Sequence, residues 1–259
     1  MTWTAPKVAH TLLDAENRRQ DLEPFTDEWA ELDLEVAYQI QDETLARRVM
    51  RGEQIVGVKL GLTSRAKQQR MGVDSPLTAW LTDAMVLGSG VPVPLNSLIH
   101  PRVEPEIVFQ LGKPLAGPGV TAMSALAAVE AVYAGIEVID SRYKDFRFRL
   151  ADVVADNASS GRIVAGSVAL PPQRLDLALE ACVLHINGEV AHTATGAAVQ
   201  GHPAEALALA ANTLAARGIT LEAGWCVYTG GLTDAVPLTA GDQIVAEFGH
   251  LGSVTVTGE

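Results

Sequence analysis

Glu104, Glu106 and Glu137 are the side chains whose types and spacing best suit metal chemistry in this sequence. The stretch HPRVEPEIVFQL (100–111) places Val103, Ile107 and Phe109 at alternating positions, which predicts a strand, and side chains two apart on a strand share a face. Glu104 and Glu106 therefore point the same way. Glu137 is the only interior charge of a second short apolar run, GIEVID (135–140). Burying a lone anion costs roughly several kcal/mol unless a cation compensates it. A hard divalent ion held by carboxylate oxygens supplies that compensation. The same spacing also suits a solvated strand face, because charged side chains are mostly exposed. Glu137 fits that second reading less well. Pro105, between the first two acids, is expected at a sheet edge or a bulge, and the ligand face survives only if that bulge keeps both acids aimed inward.

Lys59 interrupts the apolar run QIVGVKLGLTS (54–64) and has two readings. It either snorkels to the surface or lies buried beside an anion, which would set a cation next to the acidic cluster.

The elements that must position these groups follow from composition and pattern. With 259 residues, 48% hydrophobic and 19% charged, the chain can bury a full core as one large domain or as a domain with a smaller helical cap. The second is expected, with a helical region over 1–52 and a catalytic body over 53–259. The formal net charge of −12, from 31 acidic against 19 basic residues, repels phosphate backbones and anionic lipid, which argues against nucleic-acid and membrane partners. An anionic substrate would need local attraction from a metal ion and a few placed cations. Cys182 and Cys226 sit far apart in apolar runs and read as free buried thiols. The N-terminus lacks the pattern of a signal peptide, and no run approaches the ~20 apolar residues of a membrane helix, so a cytoplasmic protein is expected.

In chain order, Leu12, Leu13, Val36, Ile40 and Leu45 recur at helical spacing, with Asp33 as a cap for the second helix. SRAKQQRMG (64–72) predicts a short helix closed by Gly72. Thr121 to Ala134 predicts a helix with Thr121 as N-cap and Gly135 as its stop. The polar segment from Asp156 to Gly161 reads as a loop, where binding groups concentrate, or simply as an Asn- and Ser-rich turn. Asn187-Gly188 marks a hairpin, and Pro203 to Gly218 a helix. Short, frequent strands with scattered helices predict an α+β fold with a rolled, barrel-like sheet.

Taken together and in order, VGVKLGLTS, HPRVEPEI, IEVIDSRY, DVVADNASS, GHP, TGGLTDAV and HLGSV resemble the hydratase and decarboxylase group of the fumarylacetoacetate hydrolase superfamily over nearly the whole chain. The resemblance implies a mixed β-roll core with an N-terminal helical region. It also implies Mg²⁺, with Mn²⁺ as a substitute, on Glu104, Glu106 and Glu137, and a catalytic Lys59. A homo-oligomer, and a complex with a hydratase of the same pathway, are implied too.

Leu77, in DSPLTAWL (74–81), stands where the hydratases of the group carry an aspartate, and an apolar group cannot move a proton. IDSRYKDFRF (139–148) also resembles the decarboxylase branch, although Leu77-Thr78-Ala79-Trp80 departs from that branch's usual pattern. The expected reaction is therefore decarboxylation of a dicarboxylate 2-oxo acid, 2-oxohex-3-enedioate, to 2-hydroxypenta-2,4-dienoate and CO₂ in meta-cleavage catabolism of aromatic compounds. A hydratase at the same metal, or a silent partner subunit, are the alternatives. On this reading Asp156, Asn157 and Ser160 position substrate or water, and the Thr229-Gly230-Gly231 turn lends backbone N–H groups. Arg142 faces a substrate carboxylate or pairs with Asp140.

Overall fold

A computed structural model of the chain describes residues 3–64, 68–69 and 76–259. Two N-terminal helices, α1 (Ala5–Arg18) and α2 (Leu34–Met50), lead into β1 (Ile55–Gly61) and β2 (Leu77–Thr82). Asp33 accepts the Val36 N–H at 2.9 Å and so caps α2 as expected. The expected helix over 64–72 lies mostly outside the described residues.

The strands that follow are β3 (Arg102–Leu111), β4 (Val129–Ile139) and β5 (Ser160–Ala165), with the short helices α3 (Ala122–Leu126) and α4 (Leu150–Ala155) between them. A hairpin of β6 (Ala181–Ile186) and β7 (Glu189–Thr195) turns at Asn187 and Gly188, both at positive φ, and α5 (Pro203–Ala215) comes next. The chain ends with β8 (Cys226–Tyr228), β9 (Val236–Pro237), β10 (Gln243–Phe248) and β11 (Gly252–Thr257).

Seven strands form one mixed sheet in the order β2-β1-β8-β3-β4-β5, with β9 on β3, and four form a second in the order β11-β10-β6-β7. β10 and β11 pack on β4, and α5 adds Leu207 and Leu214 to the core that both sheets share with Phe109, Ile136, Leu184 and Val254. The result is a mixed α and β fold with a curled sheet and N-terminal helices. Those helices have their own apolar cluster, in which Val8, Leu12 and Ile40 meet Leu77, Tyr143 and Val154. α4 and β2 are thereby pinned between the helices and the sheet. Among the described residues no helix is long and apolar enough to cross a membrane.

Two local expectations need correction. The helix expected over 121–134 is only α3; its Thr121 N-cap holds, but residues 129–134 belong to an eleven-residue strand. Alanine-rich composition favours a helix in isolation, whereas β4 pairs with β3 along that strand's whole length, so tertiary pairing overrides propensity. Pro105 lies in β3 without a bulge, since the register runs unbroken from Arg102↔Ile139 to Gln110↔Ala131. It is tolerated because β3 is flanked there by neither β8, which pairs Val108–Gln110, nor β9, which pairs Arg102–Val103. In that gap no ladder bond requires the N–H that proline lacks.

Candidate active site

The gap beside Pro105 is where the site forms. β8 is three residues long and stops at Tyr228, which pairs Lys59 of β1 on one side and Val108 of β3 on the other. Beyond it the chain turns through Thr229, Gly230 and Gly231. Thr229 donates its hydroxyl to the Ile107 carbonyl at 2.8 Å, and the Leu232 N–H reaches the Pro105 carbonyl at 2.9 Å. The sheet is thus open enough for Lys59 to reach β4.

On β3, Glu104 and Glu106 share a face, and Glu104 is directly opposite Glu137 of β4. Carboxylate oxygens of all three lie within 4.8 Å of one another. At that distance, and at an effective dielectric near 20, each like-charged pair repels by roughly 3–4 kcal/mol. Directly opposed like charges are otherwise avoided in sheets. Glu106 and Glu137 are buried, and Glu106 Oε1 and Glu137 Oε2 have no hydrogen-bond partner among the described residues. Burial, followed by the neighbouring Glu137 charge, lifts the Glu106 carboxyl well above the ordinary range. Burial also lifts Glu137, against the pull of Lys59.

Lys59 is buried, its Nζ 2.7 Å from Glu137 Oε1 and donating to the Ala158 carbonyl at 2.9 Å. One ammonium cannot neutralise three carboxylates. Converging oxygens, mutual repulsion and orphaned acceptors together fit a hard divalent cation.

The Gly230 N–H donates to Glu106 Oε2 at 2.7 Å and so holds one of the three carboxylates. A Cβ on Gly230, which has φ +106°, would lie 2.1 Å from Thr63 Oγ1. A Cβ on Gly231 would lie 2.7 Å from the Glu104 carboxyl carbon. Gly230 thus permits the positive φ and the close approach to Thr63, and Gly231 leaves room for the Glu104 carboxylate.

A cavity of about 160 Å³ opens beside these groups. Its lining includes polar groups from Lys59, Glu104, Thr63 and Ser159 and apolar ones from Leu62, Leu77, Ile139, Phe146, Phe148 and Val153. Phe146 and Phe148 come from the aromatic run DSRYKDFRFRL (140–150), and the serine that lines the cavity is Ser159, not the Ser160 expected from the sequence.

The structure does not bring Arg142, Asp156, Asn157 or Ser160 to the cavity lining. Arg142 is buried and pairs with Asp156, not Asp140, through Nε; it also donates from Nη1 to the Ser160 carbonyl at 2.8 Å. Burial would lower its guanidinium pKa, but Asp156, then Glu16 and Asp140, outweigh this and hold it above its usual range. Burial in turn lifts Asp156 to about 6 against the pull of Arg142. Asn157 bonds the backbone of Trp80, and the Ser160 hydroxyl donates to the Asn157 carbonyl at 2.7 Å. This polar segment is buried; the side chains of Asp156, Asn157 and Ser160 bind the protein itself, whereas Ser159 lines the cavity.

Residues 54–257 match the model of the fumarylacetoacetate (FAA) hydrolase C-terminal family, and the chain belongs to that family. A 4-oxalocrotonate decarboxylase of Pseudomonas putida is 42% identical over 248 residues, covering 96% of this chain and 94% of the relative. A 2-hydroxyhexa-2,4-dienoate hydratase of Comamonas testosteroni is also 42% identical, over 247 residues, 95% of this chain and 94% of the relative. Among solved structures, 4-oxalocrotonate decarboxylase from Pseudomonas putida G7, complexed with magnesium and adipate, superposes with a TM-score of 0.97. The identity is 40%, over 100% of this chain and 99% of that one.

Proposed function

We propose that this chain is a metal-dependent decarboxylase that converts 2-oxohex-3-enedioate, or a close analogue, to 2-hydroxypenta-2,4-dienoate and CO₂. The observation that carries this reading is the cavity lined by Lys59, Glu104 and an apolar wall containing Leu77, with Glu106 and Glu137 clustered behind Glu104. Glu104, Glu106 and Glu137 would hold Mg²⁺, or Mn²⁺ in its place. Bound there, the ion would act as a Lewis acid toward the 2-oxo acid end of the substrate.

In the reaction the C5–C6 bond breaks, CO₂ leaves, and the electron pair moves through the conjugated chain to the C2 oxygen. Lys59 is placed to donate to that oxygen as its charge grows; Glu137 and the Ala158 carbonyl engage two of its three donors. Leu62, Leu77, Phe146, Phe148 and Val153 give the cavity an apolar lining that would exclude water from the chain's far end. A carboxylate held there in a dry wall is destabilised relative to neutral CO₂, which favours its loss. The division into a helical region, 1–52, and a catalytic body, 53–259, belongs to this reading, as all the proposed site residues lie in the second part. So do a cytoplasmic location, a homo-oligomer and a complex with the pathway hydratase, which light scattering and co-purification would test.

A hydratase is the second reading, favoured by the 42% identity to the Comamonas enzyme. Against it stands Leu77 in the wall, where proton transfer to carbon would need a protic group. The experiment is turnover of 2-oxohex-3-enedioate by metal-stripped protein with and without Mg²⁺, following CO₂ and dienol together, beside Glu106→Gln. Metal-dependent CO₂ release that Glu106→Gln abolishes is expected. No CO₂, with metal-dependent hydration of 2-hydroxypenta-2,4-dienoate, would make the chain a hydratase.

A further inference from the structure

Lys59 is tied to two groups, and the second is unusual. The Ala158 carbonyl that accepts from its Nζ belongs to a turn in which three successive non-glycine residues, Asn157, Ala158 and Ser159, have φ of +49°, +51° and +57°. Left-handed backbone costs an alanine or serine about 1 kcal/mol or more, so three in succession persist only if their surroundings impose them.

Those surroundings can be traced bond by bond. The Asn157 side chain accepts the Trp80 N–H at 2.8 Å and donates to the Trp80 carbonyl at 2.9 Å, so its amide stands in for a strand residue on β2. β2 pairs with β1, where Lys59 is opposite Ala79, the neighbour of Trp80. Asp140 donates its N–H to the Ser159 carbonyl at 2.7 Å. Arg142 grips both ends of the turn, pairing with the Asp156 side chain, donating to the Asp156 carbonyl at 2.5 Å, and reaching the Ser160 carbonyl. The turn is therefore fixed to the same strand pair that carries the lysine.

We propose that the buried 156–160 turn is the device that positions the Lys59 ammonium, with Ala158 supplying the carbonyl and Asn157 and Arg142 holding it there. These are positioning residues, and the inference rests on the catalytic role given to Lys59 above. A lysine has four side-chain torsions, and a single ion pair to Glu137 leaves its ammonium free to swing. A second acceptor on a rigid turn sets the direction of the remaining donor. Reversing the sign of φ at Ala158 would rotate the peptide planes that flank it and withdraw that acceptor.

The test is Asn157→Gly, with Asn157→Ala beside it. Glycine keeps the positive φ of this position without strain while removing both bonds that tie the turn to β2, so Asn157→Gly should fold and still free the turn. The expected result is a fall in kcat of about tenfold or more, with KM changed by less than about threefold, as for a misplaced catalytic group. A second readout needs no turnover: reductive methylation of Lys59 in the metal-free protein, followed by peptide mass, should quicken about fivefold or more once the ammonium is released. Asn157→Ala should move both readouts the same way, with some loss of stability. Parent-like kcat and methylation in Asn157→Gly, or a rise in KM at unchanged kcat, would overturn the proposal. If the parent releases no CO₂, the functional reading fails by itself, and methylation still decides whether the turn holds Lys59.

Discussion

Replacing Gly231 with alanine should separate metal binding from folding. An added Cβ would lie 2.7 Å from the Glu104 carboxyl carbon and 2.9 Å from each of its oxygens, whereas ordinary contact begins at 3.4 Å. The carboxylate must therefore retreat by about 0.5–0.7 Å, at or beyond the roughly 0.5 Å within which a ligand set keeps its geometry. The obstructing atoms are the end of a flexible side chain, so the backbone need not move. Fold stability should thus stay level, or rise by about 0.4–1 kcal/mol through the lost freedom of the unfolded chain. Disturbance of one ligand by a neighbouring group typically costs 10–100-fold in metal affinity, about 1.4–2.7 kcal/mol. Calorimetric titration of metal-stripped protein with Mn²⁺, beside thermal melting without metal, reads both quantities. Mn²⁺ affinity within about threefold of the parent, at unchanged melting temperature, would refute the placement of Glu104 in the metal set.

Arg142→Met should cost about 3–5 kcal/mol at pH 8, because it strands the buried Asp156 carboxylate. A raised carboxyl pKa makes stability greatest at low pH and lost as pH rises through the folded value. Asp156 is already at about 6 and should climb higher without its cation, so part of the loss should return by pH 5. Denaturant titrations at the two pH values that show the same loss would contradict the pairing. Burial pushes the Cys182 thiol up to about 12, so iodoacetamide at pH 8 should spare it in native protein and label it in guanidinium, as peptide mass would show. Labelling of native Cys182 at the denatured rate would contradict its burial.

Sequence and structure agree where the signal is local. The Asn187-Gly188 hairpin, the Asp33 and Thr121 caps and the start of α5 at Pro203 each depend on a few adjacent residues. The two-residue period of β3 likewise put Glu104 and Glu106 on one face. The polar run from Asp156 to Ser160 shows the limit of such reading. Its residue types suit a surface binding loop, but its partners are Trp80, Asp140 and Arg142, and nothing local announces that an asparagine will bond a strand some eighty positions away.

The sequence by itself determined the carboxylate types proposed to hold a metal, the common strand face of Glu104 and Glu106, the caps and turns, and the family motifs in their order. Tertiary structure decided that residues 129–134 extend a strand, that Pro105 needs no bulge, and that Lys59 is buried against Glu137 and does not reach for solvent. It also decided which glycines leave room for a neighbouring side chain and which apolar side chains line the cavity. The division has one physical cause. Backbone preference and periodicity act over a few residues, whereas the order β1-β8-β3-β4 brings together groups from distant segments, and electrostatics and packing depend on that proximity.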